Sequence, residues 1–287
     1  MGTNKIKLIE CPRDAMQGIH KFIPTELKAE YLNTLLQVGF DTLDFGSFVS
    51  PRAVPQMQDT RKVLSRLDIS TTVTRLLAIV ANLRGAEEAA GFEEISYLGF
   101  PFSVSETFQQ RNTNSSIVQS AEMVKRILEL CDRNGKTAIV YISMGFGNPY
   151  GDPWTPEVVK HWMEQLVAYG VNIFALSDTT GESTPEKIST LLPLLQDCFI
   201  DTEIGLHLHS TPETSREKIA SAYNAGCRRF DSALRGFGGC PMAKDELTGN
   251  LATEELISYL SEQGLELGLD MKKWQEAMVF SSSIFGP

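Results

Sequence analysis

Short apolar runs alternate along this chain with longer stretches in which apolar residues recur at steps of three and four. The runs Ile6–Glu10, Thr42–Gly46, Thr72–Ile79, Glu94–Gly99, Thr137–Ile142, Ile173–Leu176, Ile204–His207 and Arg229–Ser232 are rich in Ile, Val, Phe and Leu, as strands buried on both faces should be. Amphipathic stretches lie between them. Ile117, Ala121, Val124, Leu128 and Cys131 trace one helical face behind a cap at Ser115 or Ser116. Pro156 follows Thr155 as a first-turn proline, and the helix Val158–Tyr169 then stops at Gly170. Pro24, Pro185 and Pro212 open further helices in the same way, while Gly39, Gly91, Gly135 and Gly226 mark other helix ends.

Strand followed by helix, repeated eight times, implies parallel strands, because each helix must carry the chain back over the sheet. The expected architecture is a (β/α)8 TIM barrel with a short C-terminal helical extension, Asp270–Phe280, covering part of it. An open doubly wound sheet is the competitor, weakened by the lack of a G-x-G-x-x-G after the first strand. No linker or low-complexity segment interrupts the pattern. The expectation is therefore one catalytic domain over residues 1–287, with a mobile glycine-rich loop at 236–250.

Composition changes this picture little. At 287 residues and 42% apolar, the chain can bury a sizeable core. No apolar run is long enough to span a bilayer, and Met1–Cys11 lacks the features of a signal peptide, so a cytoplasmic protein is expected. A formal charge of −10 argues against nucleic acid and anionic membrane as partners. An anionic substrate would then need a metal or particular cations. The five cysteines, Cys11, Cys131, Cys198, Cys227 and Cys240, show no C-x-x-C spacing, which speaks against a disulfide framework or a structural zinc.

A barrel places its chemistry at the carboxyl ends of its strands. The first strand is expected to end in Arg13–Asp14, the second carries Asp44 and then Ser47, and the fifth carries Tyr141 and Ser143. The sixth ends in Asp178–Thr179 and the seventh in His207-Leu-His209. Residues i and i+2 of a strand share a face, so both imidazoles can meet one ion, with Asp14 across the mouth. Solvated loop histidines are the bland alternative. Nitrogen and oxygen donors suit Mg²⁺, Mn²⁺ or Zn²⁺, and the lack of a thiolate favours Mg²⁺ or Mn²⁺ as the divalent cation. Arg13 offers a planar cation to a thioester oxygen that becomes enolate-like. Cys240 sits between Gly236-Phe-Gly-Gly239 and Pro241, an exposed loop where a thiol has little packing value. The remaining cysteines read as structural. Tyr141, Ser143 and Ser47 are either substrate contacts or simply hydrogen-bonded residues at the mouth, and Lys21 and Arg52 are read as solvated charges.

At these residues the sequence resembles the 3-hydroxy-3-methylglutaryl-CoA lyases, within the wider group of metal-dependent Claisen-type lyases and synthases. The matching segments are Cys11-Pro-Arg-Asp-Ala-Met-Gln17, Ser47-Phe-Val-Ser-Pro51, Val54-Pro-Gln-Met57, Asp178-Thr-Thr-Gly181, His207-Leu-His209, Gly236-Phe-Gly-Gly-Cys-Pro241 and Gly249-Asn-Leu-Ala-Thr253. They span nearly the whole chain in family order. The resemblance implies a cation held by Asp14, His207, His209 and Asn250, with Arg13, Asp44 and Cys240 as catalytic residues. It implies substrate contacts from Gln17, Ser47, Tyr141, Asp178 and Thr179. The implied reaction is retro-Claisen cleavage of 3-hydroxy-3-methylglutaryl-CoA to acetyl-CoA and acetoacetate, a step of leucine breakdown. The implied partner is an acyl-CoA, and a homodimer remains open.

The chain departs from that family in several places. Asp44 stands where the family has glutamate, Ala15–Met16 replaces Gly-Leu, Ser210 stands where the family often has aspartate, and the segment from Cys240 to Asn250 is one residue longer than usual. Three competing functions remain: a lyase for a related 3-hydroxyacyl-CoA, a condensing synthase and a noncatalytic barrel. A synthase normally carries a long regulatory region beyond the barrel, and a noncatalytic barrel should have lost metal ligands.

Overall fold

The computed structural model describes residues 5–239 and 248–286. Strands β1 (Lys7–Glu10), β2 (Thr42–Ser47), β3 (Arg75–Ile79), β4 (Ile95–Ser103), β5 (Thr137–Ser143), β6 (Ile173–Ser177), β7 (Glu203–His207) and β9 (Arg229–Ser232) pair in parallel and close into a barrel. Closure runs through β9, whose Asp231 lies beside Ile9 on one side and His207 on the other. The barrel expectation holds and the open sheet is excluded.

Alternation along each strand divides the core in two. On β5, Val140 and Ile142 face outward into the large cluster shared with the helices. Ile139 and Tyr141 face inward, where they meet Leu77, Tyr97 and Ala175 in the barrel lumen. Two boundaries differ from the sequence pattern. β3 starts at Arg75 rather than Thr72, because the hydroxyls of Thr72 and Thr74 donate to Leu36 O (2.6 Å) and Phe40 O (2.7 Å) and tie that segment to the preceding loop. β4 continues to Ser103, in register with Ser143.

The helices start and stop where their end residues dictate. Ser116, not Ser115, is the cap of Ile117–Asn134, forming a reciprocal capping box with Gln119. Thr155 and Thr184 cap helices that open on Pro156 and Pro185, and Gly135 and Gly170 end theirs in the left-handed conformation. Periodicity did not reveal the short helices Pro12–Gln17 and Glu106–Thr113 or the helix Thr253–Glu262.

The C-terminal helix extends further than expected, over Met271–Phe285 from a cap at Asp270. It packs on Thr25–Leu36, with Tyr31 stacked on Phe280 at 5.9 Å. Its far end reaches the segment after β9. Phe285 stacks on Phe237 at 4.6 Å, and Arg235 donates to Ser282 Oγ (2.6 Å) and Gly286 O (3.2 Å). No described helix is long and apolar enough to cross a membrane.

Candidate active site

β1 ends at Glu10, three residues earlier than the placement of Arg13 and Asp14 required. Pro12 turns the chain into the short helix Pro12–Gln17, so Arg13 and Asp14 stand on its first turn rather than on a strand. Helical spacing then brings Gln17 over both. Arg13 Nη1 donates to Gln17 Oε1 (2.9 Å) and to Asp14 Oδ1 (3.0 Å), and Gln17 Nε2 donates to the same Asp14 oxygen (2.7 Å).

From β2, Asp44 closes on the other edge of the guanidinium. Arg13 Nε donates to Asp44 Oδ1 and Oδ2 (3.2 and 3.0 Å), and Nη2 donates to Oδ2 (2.5 Å). Of the five guanidinium N–H groups, this arrangement leaves one, on Nη2, for a further acceptor. Burial raises the Asp44 carboxyl to about 6 against the pull of Arg13. Asp14 is equally buried, yet Arg13, then His207, His209 and the Asn250 hydrogen bond outweigh desolvation and hold it down to about 2. A bulge between Asp44 and Gly46 shifts β2 against β3, and the methyl group of Thr60 fills the space beside Gly46.

The two histidines converge, though not as neighbours on one strand. His207 ends β7, and His209 opens β8 (His209–Ser210), which pairs antiparallel with β10 (Gly249–Asn250). This ribbon places Asn250 opposite His209. One nitrogen of each imidazole and one Asp14 oxygen lie within 4.8 Å of one another, all buried. Burial, then His207, pushes His209 down to about 4, and its Nε2 is buried without a hydrogen-bond partner among the described residues. A buried orphan nitrogen beside an ionised carboxylate suits a divalent cation. Asn250 Nδ2 donates to Asp14 Oδ2 (2.6 Å) and Phe237 O (2.9 Å), so ligation by Asn250 needs its oxygen turned into that position.

The glycines after β9 serve close approach. A Cβ on Gly238 would lie 2.4 Å from Asn250 Nδ2 and 3.0 Å from Asp14, and one on Gly249 would lie 2.2 Å from Gly236 O. Cys240 lies outside the described residues, as does much of the expected loop.

The expected substrate contacts divide. Gln17 belongs to the Arg13–Asp14 cluster, and Tyr141 meets His207 edge-on at 5.8 Å with its hydroxyl buried and without a partner among the described residues. Ser47 donates to Ile79 O (3.3 Å), and Thr179 accepts from Met144 N (3.0 Å). Asp178 accepts from Ser183 and from Lys218 Nζ (3.1 Å). In these positions the hydrogen bonds of Ser47, Thr179 and Asp178 tie neighbouring segments together.

Sequence reasoning missed two groups here. Lys218 is buried and bridges Asp178 to His209 O (2.7 Å), and Asp231 Oδ2 lies 3.3 Å from His207 Nδ1. Both carried a signal: a lysine on the apolar face of its helix beside Ser215 and Ala222, and an aspartate inside a strand buried on both faces.

The chain resembles known proteins over nearly its whole length. Residues 5–280 match the family model described as HMGL-like. The chain is 34% identical over 275 residues to the cytoplasmic 3-hydroxy-3-methylglutaryl-CoA lyase of Rattus norvegicus, covering 95% of this chain and 79% of that one. It is 32% identical over 284 residues to the (R)-citramalyl-CoA lyase of Chloroflexus aurantiacus, covering 96% and 89%. An HMG-CoA lyase structure from Acinetobacter baumannii, in complex with coenzyme A and 3-methylmalate, superposes with a TM-score of 0.91 at 27% identity, covering 100% and 93%. With the fold, the cluster and the family model in agreement over nearly its whole length, the chain belongs to the HMGL-like family and is a carbon–carbon lyase.

Proposed function

We propose that the protein cleaves 3-hydroxy-3-methylglutaryl-CoA to acetyl-CoA and acetoacetate, with Mg²⁺ or Mn²⁺ held by Asp14, His207, His209 and Asn250. The observation that carries this is the convergence of Asp14, His207 and His209 beside the clamped guanidinium of Arg13. When bound, the ion supplies a Lewis acid that lowers the pKa of the substrate's tertiary hydroxyl. Scission of the carbon–carbon bond leaves negative charge on the thioester oxygen. Arg13 meets that charge through its remaining Nη2 hydrogen, already oriented by Asp44, Asp14 and Gln17. Cys240 returns a proton to the carbon left behind. On this reading the chain is a single catalytic domain, a cytoplasmic enzyme of leucine degradation, with an acyl-CoA as its partner and a homodimer as its assembly.

A second substrate has a specific observation behind it. The Chloroflexus relative is a citramalyl-CoA lyase, and in that class of substrate the free carboxylate is one methylene nearer the carbinol. Asp44, in turn, is one methylene shorter than the glutamate of the lyase motif. The 34% identity to a hydroxymethylglutaryl-CoA lyase, against 32% to the citramalyl-CoA lyase, favours the first substrate. Metal-stripped protein incubated with either thioester should form acetyl-CoA only after Mg²⁺ or Mn²⁺ is restored. Replacing His207 and His209 together by alanine should abolish both Mn²⁺ binding and turnover. Parental Mn²⁺ binding in that double variant would place the ion elsewhere.

A further inference from the structure

We infer that Asp231 is a positioning residue for His207: it accepts the Nδ1 proton, fixes the ring, and presents the Nε2 lone pair to the cation, with Arg229 as its charge partner beneath. The inference rests on the cation site proposed above and extends it one layer down into the barrel. Asp231 and His207 are register neighbours on β9 and β7, and Asp231 Oδ2 lies 3.3 Å from His207 Nδ1. Both residues are buried, Asp231 to 1% exposure, so the carboxylate has no solvent to share it with. With Nδ1 occupied in this way, Nε2 is the nitrogen available to an ion. A carboxylate or carbonyl on the far nitrogen of a metal-bound histidine raises its basicity and locks its orientation.

A buried cation and a buried hydroxyl lie in the lumen below that carboxylate. Two residues back on the same face of β9, Arg229 is 2% exposed, and its side chain runs across Gly205, where a Cβ would lie 2.7 Å from it. Arg229 Nη1 reaches Glu203 Oε1 at 3.4 Å, whereas Nε and Nη2 have no partner among the described residues. The same is true of Asp231 Oδ1 and of the Tyr141 hydroxyl. Tyr141 packs edge-on against His207 and occupies space that a Cβ on Gly99, 3.0 Å from its ring, would fill. Buried groups of this kind are expensive unless matched. Of the charges that keep Arg229 protonated against burial, Asp231 is the largest. Two glycines thus make room for a cation and a hydroxyl directly beneath the Asp231–His207 pair.

Cys11 also lies within 4.8 Å of this pair, as a second candidate cluster of metal donors. A second ion at Cys11, His207 and Asp231 therefore competes with the positioning role. The two differ in stoichiometry and in what they require of Cys11.

The test uses the protein with and without Mn²⁺. It has four histidines, His20, His161, His207 and His209, so the ring nitrogens of ¹⁵N-histidine-labelled protein can be resolved and assigned. In metal-free protein at alkaline pH, His207 should carry its proton on Nδ1, and Asp231→Asn should shift that tautomer balance. Mn²⁺ titration should give one site in the parent and an affinity about 10–100-fold weaker in Asp231→Asn. Cys11→Ser should bind Mn²⁺ as the parent does. A proton on Nε2 of His207 in the parent would overturn the inference even if the variant fails to fold. An unchanged Mn²⁺ affinity in Asp231→Asn, or a second site lost in Cys11→Ser, would overturn it as well. Absence of any Mn²⁺ binding to the parent would instead remove the cation site and the inference together.

Discussion

Arg13 has acceptors on both edges of its guanidinium: Asp44 on one, and Asp14 with Gln17 on the other. A lysine has no planar fork to bridge them. Arg13→Lys should therefore lower the turnover number by about 10²–10³, the usual cost of losing one preorganised donor to a developing oxyanion. Parental turnover in steady-state assays would remove Arg13 from the mechanism. Asp44 contributes through Arg13, since both of its oxygens accept from that side chain. Its carboxyl, raised to about 6 by burial, takes up a proton below that value and releases its hold on the guanidinium. The pH–rate profile should therefore fall on the acid side with an apparent pKa near 6, and Asp44→Asn should lose most activity together with that limb. A full acid limb in the variant would assign it to another group. The sequence motif made Arg13, Asp14 and Gln17 legible as a group. It did not show that Asp44 is saturated by Arg13, because that depends on a lumen contact between β2 and a helix whose existence periodicity did not reveal.

The elements that build the site are shorter than any window in which periodicity can be read. The barrel strands were legible because both of their faces are buried, and the long helices because their caps and glycine stops sit at the expected offsets. Pro12–Gln17 has one turn and a half, and β8 and β10 have two residues each, so neither could announce itself. Their geometry is enforced by glycines. Gly238 adopts φ +108°, and a side chain there would strike Asn250 and Asp14. Gly238→Ala should weaken Mn²⁺ binding on the order of tenfold, as damage to a ligand's surroundings does, while the melting temperature changes little. Unaltered Mn²⁺ affinity would show that this segment does not shape the cation cluster. The C-terminal helix was legible as an element but not in its extent. Its last turn holds the segment after β9 through Phe285 and through Ser282 and Gly286, a tertiary contact with no local signature.

For the molecule as a whole, closing eight strands buries polar groups whose titration couples to stability. Glu10 points outward from β1 into the helix layer, where its carboxylate accepts from Thr253 Oγ1 (2.6 Å) and Leu234 N (2.8 Å). Burial nevertheless raises it from 4.5 to about 8. Between those values the folded state holds a proton that the unfolded chain has released, so this group makes stability fall as pH rises, by about 1.4 kcal/mol per pH unit where linkage is complete. Glutamine mimics the protonated form. Glu10→Gln should melt above the parent at about pH 8, with the difference shrinking toward about pH 5. A difference independent of pH would mean that Glu10 is not held protonated. Competing the two thioesters tests the substrate assignment directly. We predict a higher kcat/KM for 3-hydroxy-3-methylglutaryl-CoA than for (R)-citramalyl-CoA, with acetoacetate released in equal amount to acetyl-CoA. Efficient release of pyruvate from citramalyl-CoA with only trace acetoacetate would contradict it.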